Sequence, residues 1–416
     1  MNILILAESL RINETSSGIV SSTFIKALSL NSRVNHIDVL YQKDFDYPVS
    51  WLDDKKIRLI PLQVKVSQSL LKKIPKIRAL PAYFTGLSLD MLAQVKNWQE
   101  QTEQLLNQKK YDLIIALGTG SSFMPHYALL KVKTTIPVLF NFHDPYPMSR
   151  YPEPYRKKPN FIYFHQERFL RKMFKKAGAL SFPSEYLKDF MLQGTQFRDK
   201  AFVLPHVGIS LDNIPSKTED LEVHLPKGKF NLLHAGTLLG PRKVDALFRA
   251  FERLSGEDDE FSQKTVLTVL GKVAKEHRYL EKLSGKTQGN LRVITQRVSY
   301  PKSLELLRQC DMALVVEADA DFSPFMPGKL ADIFYYEKPV LALTPERSEV
   351  RRILGKDYPY VARVNDTGTI YNILKRAWKA WKSGALKNPD AERLKKYVSV
   401  EDFNKRFDEI LAFLTR

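Results

Sequence analysis

The sequence predicts an α/β chain of two Rossmann-like, doubly wound domains. Three observations carry that expectation. At 416 residues the chain exceeds one ordinary hydrophobic core. Short apolar runs alternate with amphipathic helical segments along most of its length, the pattern of parallel sheets covered by helices. Between Ser210 and Gly228 the sequence turns polar and Pro-dotted (SLDNIPSKTEDLEVHLPKG) with no strong period, which places a linker there. The expected division is 1–210 for the first domain and 211–398 for the second, the two facing across a cleft, with a C-terminal helix at 399–416 returning to the first.

The apolar runs give the strands in order. In the first half they are Asn2–Ala7, Val34–Leu40, Ile57–Pro61, Leu113–Leu117, Pro137–Phe142, Ala179–Phe182 and Ala201–Leu204. In the second half they are Phe230–His234, Thr265–Leu270, Leu291–Ile294, Met312–Val316, Pro339–Leu343 and Tyr360–Val364. The last segment, Ser399–Leu414, reads as a capped amphipathic helix, since Phe403, Phe407, Ile410, Leu411 and Leu414 recur at helical spacing.

Apolar content of 44% with 26% charged residues is ordinary for a folded chain and excludes global disorder. The formal charge of +18 is less ordinary and draws anions, whether nucleic acid, anionic headgroups or phosphorylated small molecules. A single cysteine, Cys310, rules out an internal disulfide and suits a reducing compartment, so a cytoplasmic protein is expected. The start, MNILILAESL, has no basic leader before its apolar run and reads as a first strand rather than a signal peptide. No window of 18 uninterrupted apolar residues occurs, so any membrane contact is expected to be peripheral.

Two stretches of the second half carry chemistry. HAGTLLGPRK (His234 to Lys243) ends a buried strand in small residues, including Gly236 and Thr237. Pro241 then suits a first helical position, ahead of Arg242 and Lys243. SPFMPGKLADIFYYEKPVLAL (Ser323 to Leu343) runs through Phe325 and Met326 into a short helix, with Lys329 near its start and Asp332 one turn on, on the same face. A helix start with cations at a sheet's carboxyl edge holds phosphate, and a carboxylate one turn on accepts hydrogen bonds from ribose hydroxyls. Surface cations beside turns, or an ordinary Lys–Asp pair, would explain either stretch alone. Their joint occurrence in one expected sheet favours a diphosphate site.

With AGALSFPSEYLKDFM and VLPHVG earlier in the chain, these stretches resemble the GT-B glycosyltransferases. The likeness is to the large retaining group of the family 4 type (group 1), which uses nucleotide-activated sugars. It covers about 230–354 and the last third of the first domain. The resemblance implies a GT-B fold and transfer of a sugar from a UDP- or GDP-sugar substrate, with no separate cofactor. It places the family's phosphate-contacting lysine on Lys243 and its ribose-binding carboxylate on Asp332. Three departures stand out. Pro324 occupies the position of a glutamate found in many members. Thr237 stands where an arginine is usual, so Arg242 is the candidate for that charge. Glu337 replaces the glycine usual before KPV, at a helix end that often turns left-handed. Without the upstream glutamate, the sugar-facing contact falls to Asp319, Asp321, Ser323 or the backbone N–H groups of Phe325 and Met326.

In the first domain, Thr15-Ser16-Ser17-Gly18 precedes a helix, and capping explains it locally. The resemblance makes Gly18 a candidate for closing on the donor diphosphate. His143-Asp144 follows a strand directly, which puts a titratable pair at the carboxyl edge. His143 is the candidate polar contact to donor or acceptor, against the alternative of a buried, backbone-bonded histidine.

VKVSQSLLKKIPKIRALP (Val64 to Pro81) and FIYFHQERFLRKMFKK (Phe161 to Lys176) each interleave apolar residues with five cations. Docking against a core is the plainer reading of the second by itself, but together with the net charge the two favour an anionic membrane surface at the inner face of the cell membrane. The acceptor is then a glycan or a lipid-linked molecule, as in cell-surface polysaccharide synthesis. No carboxylate cluster of the metal-binding kind is evident, and metal-independent chemistry is expected. Three other classes remain: a nucleic-acid-binding protein, which no zinc-finger or RNA-recognition signature supports, a GT-B relative doing epimerisation or phosphorolysis, and a non-catalytic scaffold.

Overall fold

The computed structural model describes residues 1–43, 47, 49–62, 75–120, 122–210, 212, 214, 221–283 and 290–416. The chain divides into two compact units, one of Met1–His206 with Val400–Arg416, the other of Val207–Ser399.

The first unit is a seven-stranded parallel sheet. Its strands are β1 (Asn2–Ala7), β2 (His36–Gln42), β3 (Ile57–Leu62), β4 (Leu113–Leu117), β5 (Val138–Asn141), β6 (Ala179–Phe182) and β7 (Ala201–Val203). They lie in the order β3-β2-β1-β4-β5-β6-β7. β1 and β4 are fully apolar after Asn2 because helices cover both faces of a parallel sheet. Helix starts are fixed by side-chain caps. Thr15, Ser88, Asn160 and Ser184 each accept a hydrogen bond from the backbone N–H three residues on. The helix Val400–Leu414 packs Phe403 edge-on against Phe24, with ring centroids 5.0 Å apart, and its Asp408 accepts from Asn31 at 3.1 Å. The C-terminal helix therefore belongs to the first unit.

The second unit has β8 (Phe230–Ala235), β9 (Thr265–Leu270), β10 (Leu291–Ile294), β11 (Met312–Val316), β13 (Val340–Leu343) and β15 (Val361–Ala362). The strands run in the order β10-β9-β8-β11-β13-β15, all parallel. Two short strands, β12 (Phe322–Ser323) and β14 (Arg347–Ser348), pair on their own. Phe230, Trp378 and Phe261 fill the core beside the helix Thr367–Lys382.

Both sheets are doubly wound, as expected. In the second, the strand order reverses between β8 and β11, so the loops leaving these two strands flank a switch point at the carboxyl edge. One local expectation fails. Pro241 does not open a helix: the helix runs Asp245–Glu257 with Val244 at its N-cap, and Arg242 N–H donates to Leu239 C=O at 2.9 Å. Residues 239–242 form a turn, and the helix begins with the apolar period Ala246, Leu247, Phe248, Phe251.

Candidate active site

The switch point of the second sheet gathers Lys329, Arg242 and a buried histidine. His234, next to last in β8, is buried, and its Nε2 lies 3.5 Å from Lys329 Nζ. Lys329 is the second residue of the helix Gly328–Tyr335 and is half-buried. Among the described residues no ion pair joins it to an acidic side chain. Burial, then the Arg242 charge, lowers its ammonium to about 7. Burial, followed by Lys329 and Arg242, keeps His234 neutral.

Gly236 makes room for this contact. Its φ is 135°, a conformation that favours glycine, and a Cβ there would stand 3.0 Å from Lys329 Nζ. Gly271, which follows β9, closes against it, since a Cβ at Gly271 would meet Gly236 O at 2.6 Å. Thr237 is exposed, and its carbonyl accepts from Arg242 Nη1 at 3.3 Å. The Arg242 side chain thus returns over the loop position where the resemblance had asked for an arginine. Lys243 is exposed, and no contact links it to Lys329 or His234. Of the two, Arg242 is the cation whose charge acts on Lys329.

Asp332 lies one turn beyond Lys329 and is only 8% exposed. It accepts a hydrogen bond from Tyr300 Oη at 2.7 Å. Burial raises its carboxyl to about 7, against the lowering effect of that bond. Met326 is buried and Phe325 half-buried in the loop ahead of the helix. That loop is held by a residue that sequence reasoning missed. Glu317, buried just after β11, accepts from the hydroxyls of Ser323 and Thr344, and Thr344 Oγ1 in turn accepts from the Ser348 hydroxyl at 2.7 Å. Burial raises Glu317 to about 7, though both hydroxyl bonds oppose the shift. One carboxyl thereby ties the loop after β11 to the loop after β13. His234 was missed as well, although it stood inside the quoted motif. The signal that singled out His143, a histidine at a strand's carboxyl end, applied equally to it.

In the first unit, Gly18 donates its N–H to Thr15 Oγ1 at 3.0 Å, and a Cβ on it would meet Arg11 O at 2.5 Å. Its visible role is close packing of the loop on the helix Ser16–Ser29. His143 follows β5, its ring 6.2 Å from that of His206, and its buried Nε2 has no hydrogen-bond partner. Burial, then His206 and His126, lowers it to about 3, so the imidazole is neutral at physiological pH. Of the cationic segment 64–81, residues 64–74 lie outside the described residues. Among the described residues, no cluster of three His, Cys, Asp or Glu side chains assembles as a metal site.

Residues 64–212 match the model of Glycosyltransferase Family 4. Similar solved structures include HepE from Anabaena in complex with UDP and glucose, at 12% identity and TM-score 0.62, covering 99% of each chain. A second is the E. coli trehalose-6-phosphate protein bound with UDP-2-fluoro glucose, at 13% identity and TM-score 0.62, covering 100% of this chain and 99% of that one. A third is a glycosyltransferase from Rickettsia africae, at 13% and 0.62, covering 100% and 98%. The fold is that of the GT-B glycosyltransferases. No curated protein sequence matches significantly. Within the GT-B frame, the Lys329, Arg242 and His234 group occupies the carboxyl edge of the second sheet.

Proposed function

We propose that the protein transfers a sugar from a nucleoside-diphosphate sugar to an acceptor hydroxyl. The carrying observation is the Lys329 and Arg242 pair at the switch point, two cations with no carboxylate bound to Lys329. When the glycosidic bond to the diphosphate breaks, negative charge grows on the departing phosphate. Cations already fixed there stabilise that state more than the ground state. Gly236 lets backbone approach the diphosphate, Asp332 meets the ribose, and the Phe325–Met326 backbone faces the sugar. UDP is the favoured donor base, a reading supported by the UDP named for HepE and the UDP-2-fluoro glucose named for the E. coli structure. The second unit takes the donor and the first the acceptor, with neutral His143 as a polar contact there. Gly18, Thr237 and Lys243 are assigned supporting contacts. Chemistry without a metal, with retention at the anomeric carbon, completes the reading.

The acceptor is glycan or lipid-linked, in cell-surface polysaccharide synthesis at the cytoplasmic face of a membrane. Surface composition supports this. The helix Phe161–Lys176 buries Gln166, Leu170, Met173 and Phe174, and its outer stripe runs Phe161, Phe164, Arg168, Arg171, Lys175. Phe161 is 72% exposed, and so is Phe84 on the neighbouring helix Pro75–Thr85. Aromatics beside cations suit an anionic bilayer interface. Among the described residues no helix is long and apolar enough to cross a membrane.

A thermal-shift screen over UDP-, GDP-, ADP- and CMP-sugars tests the donor site. One sugar-nucleotide series should stabilise the protein, and the shift should vanish in Lys329→Ala. A flat screen across all four sinks the proposal. Co-sedimentation with anionic but not neutral vesicles, reduced in a Phe161→Ser/Phe164→Ser variant, tests the membrane face.

A further inference from the structure

The Lys329–His234 contact brings two nitrogens together where an ion pair would be ordinary, and this oddity points beyond donor binding. The contact joins Nζ and Nε2 at 3.5 Å, and once Nζ is protonated it has no lone pair and only donates, so the charged form of Lys329 needs Nε2 of His234 as acceptor. The ring can do so only while neutral, and its burial beside two cations ensures that it is. Gly236 leaves the space the amine occupies, since a Cβ there would stand 3.0 Å from Nζ and 3.2 Å from Cε.

The groups facing Lys329 come from three elements. β8 supplies His234, the loop after it supplies Arg242, and the lysine's own helix supplies Asp332, whose carboxyl is engaged by Tyr300. Glu317, which senses the Arg242 charge, is engaged by Ser323 and Thr344. The geometry therefore provides a lysine with a neutral acceptor, a repelling cation and, among the described residues, no ion-paired counter-charge.

Resting on the donor-site reading above, we propose that His234 is a positioning residue for Lys329, and that the pair makes nucleoside-diphosphate binding a proton-coupled event. The diphosphate supplies the missing counter-charge, so the amine takes one proton from solvent as the anion docks. No covalent bond changes. The lowering of the free ammonium to about 7 sets the window. Below that pH the site is already charged, and above it binding must draw in the proton, so affinity falls as pH rises.

Isothermal titration with UDP-glucose, and in parallel GDP-mannose, tests this, because their diphosphate diesters do not titrate between pH 6 and 9. At pH 7.5, buffers of different ionisation enthalpy should report net uptake of a large fraction of one proton. The dissociation constant should rise about 25-fold between pH 6.5 and 8.5. Lys329→Arg should bind with no uptake and a flat pH profile, since guanidinium stays charged. His234→Leu should weaken binding about tenfold, and His234→Gln, which keeps an acceptor, should restore most of it. Binding by the wild type with buffer-independent heat overturns the proton coupling and leaves the transferase reading intact. Unchanged affinity in His234→Leu overturns the positioning role. Absence of binding to either sugar nucleotide overturns the donor site and this inference with it.

Discussion

Each unit carries a knot of buried charge, and the two knots are built by opposite rules. In the first unit Asp38 is wholly buried in β2 and saturated. Arg58 binds it through two nitrogens at 2.7 and 2.8 Å, Tyr111 Oη donates at 2.6 Å, His36 Nε2 lies at 2.8 Å and Lys109 Nζ at 3.3 Å. Burial would raise this carboxyl, but the bonds from Arg58, Tyr111 and His36 outweigh it and hold it well below the usual range. In the second unit Lys329 and Arg242 have been brought together with only a neutral imidazole on the lysine. The saturated knot lies toward the amino ends of the strands, the unsaturated one at the carboxyl edge where doubly wound sheets bind ligands. Charge that is complete within the chain stabilises the fold. Lys329, by contrast, has no ion pair among the described residues, which is what the proposed donor site requires.

The contrast breaks most easily at Lys329. Lys329→Ala should lower kcat for sugar transfer by about 100-fold or more, roughly 3 kcal/mol, as expected when a preorganised group facing developing charge is removed. Unfolding in urea should change little. Lys243→Ala, on the exposed neighbour, should cost far less. Equal losses from the two lysines, measured by initial rates at saturating donor, would erase the distinction drawn between them.

Asp38→Ala should do the reverse. Removing the shared carboxylate strands His36, Arg58, Lys109 and Tyr111 around one buried site, and a loss of about 3 kcal/mol in stability is expected. Donor affinity of the remaining folded protein should stay the same. Because the folded carboxyl titrates below its unfolded value, its contribution is complete above about pH 4 and is lost as pH falls further. Urea midpoints of wild type and variant should therefore converge in acid, and a constant gap down to pH 2 would contradict the argument.

How far these knots were readable in the sequence follows from what makes each. The strands were legible because buried parallel strands are near-continuous apolar runs, as NILILA in β1 and LIIAL in β4 illustrate. β12 and β14, two residues each, leave no period to read. Lys329 was legible from its place at a helix start after a strand and loop. The choice between Arg242 and Lys243 was not, because adjacent residues in a turn point in different directions and only the Leu239–Arg242 bond settles which returns to the loop. His234 was hidden by its company, since one histidine in a run of leucines reads as core.

Asp332 lies between the two rules, being buried and bonded yet lacking a cation. Its folded pKa of about 7 exceeds the unfolded value near 4. Below pH 4 both states are protonated and nothing is lost. From pH 4 to 7 the unfolded chain ionises first, so stability falls, and above 7 the penalty is constant. Asp332→Asn should thus stabilise the protein by up to ~4 kcal/mol at pH 8 and by almost nothing at pH 4, while weakening sugar-nucleotide binding several-fold. A variant less stable than wild type at pH 8 would mean that Asp332 is already compensated, like Asp38.

The smallest effect is expected at Glu337, where local strain rather than charge departs from the rule. Among the described residues it alone is a non-glycine with positive φ, 56°, at the end of the helix that carries Lys329 and Asp332. An L side chain in this region costs about 1 kcal/mol relative to glycine. Its carboxylate does meet Lys395 at 2.9 Å, but both side chains are about half exposed and such a pair returns little. Glu337→Gly should therefore raise stability by roughly 0.5 kcal/mol, read as a small upward shift of the urea midpoint. If the midpoint falls, the pair with Lys395 outweighs the backbone strain. The anchoring of this helix, and with it the reach of Lys329, then depends on a surface charge.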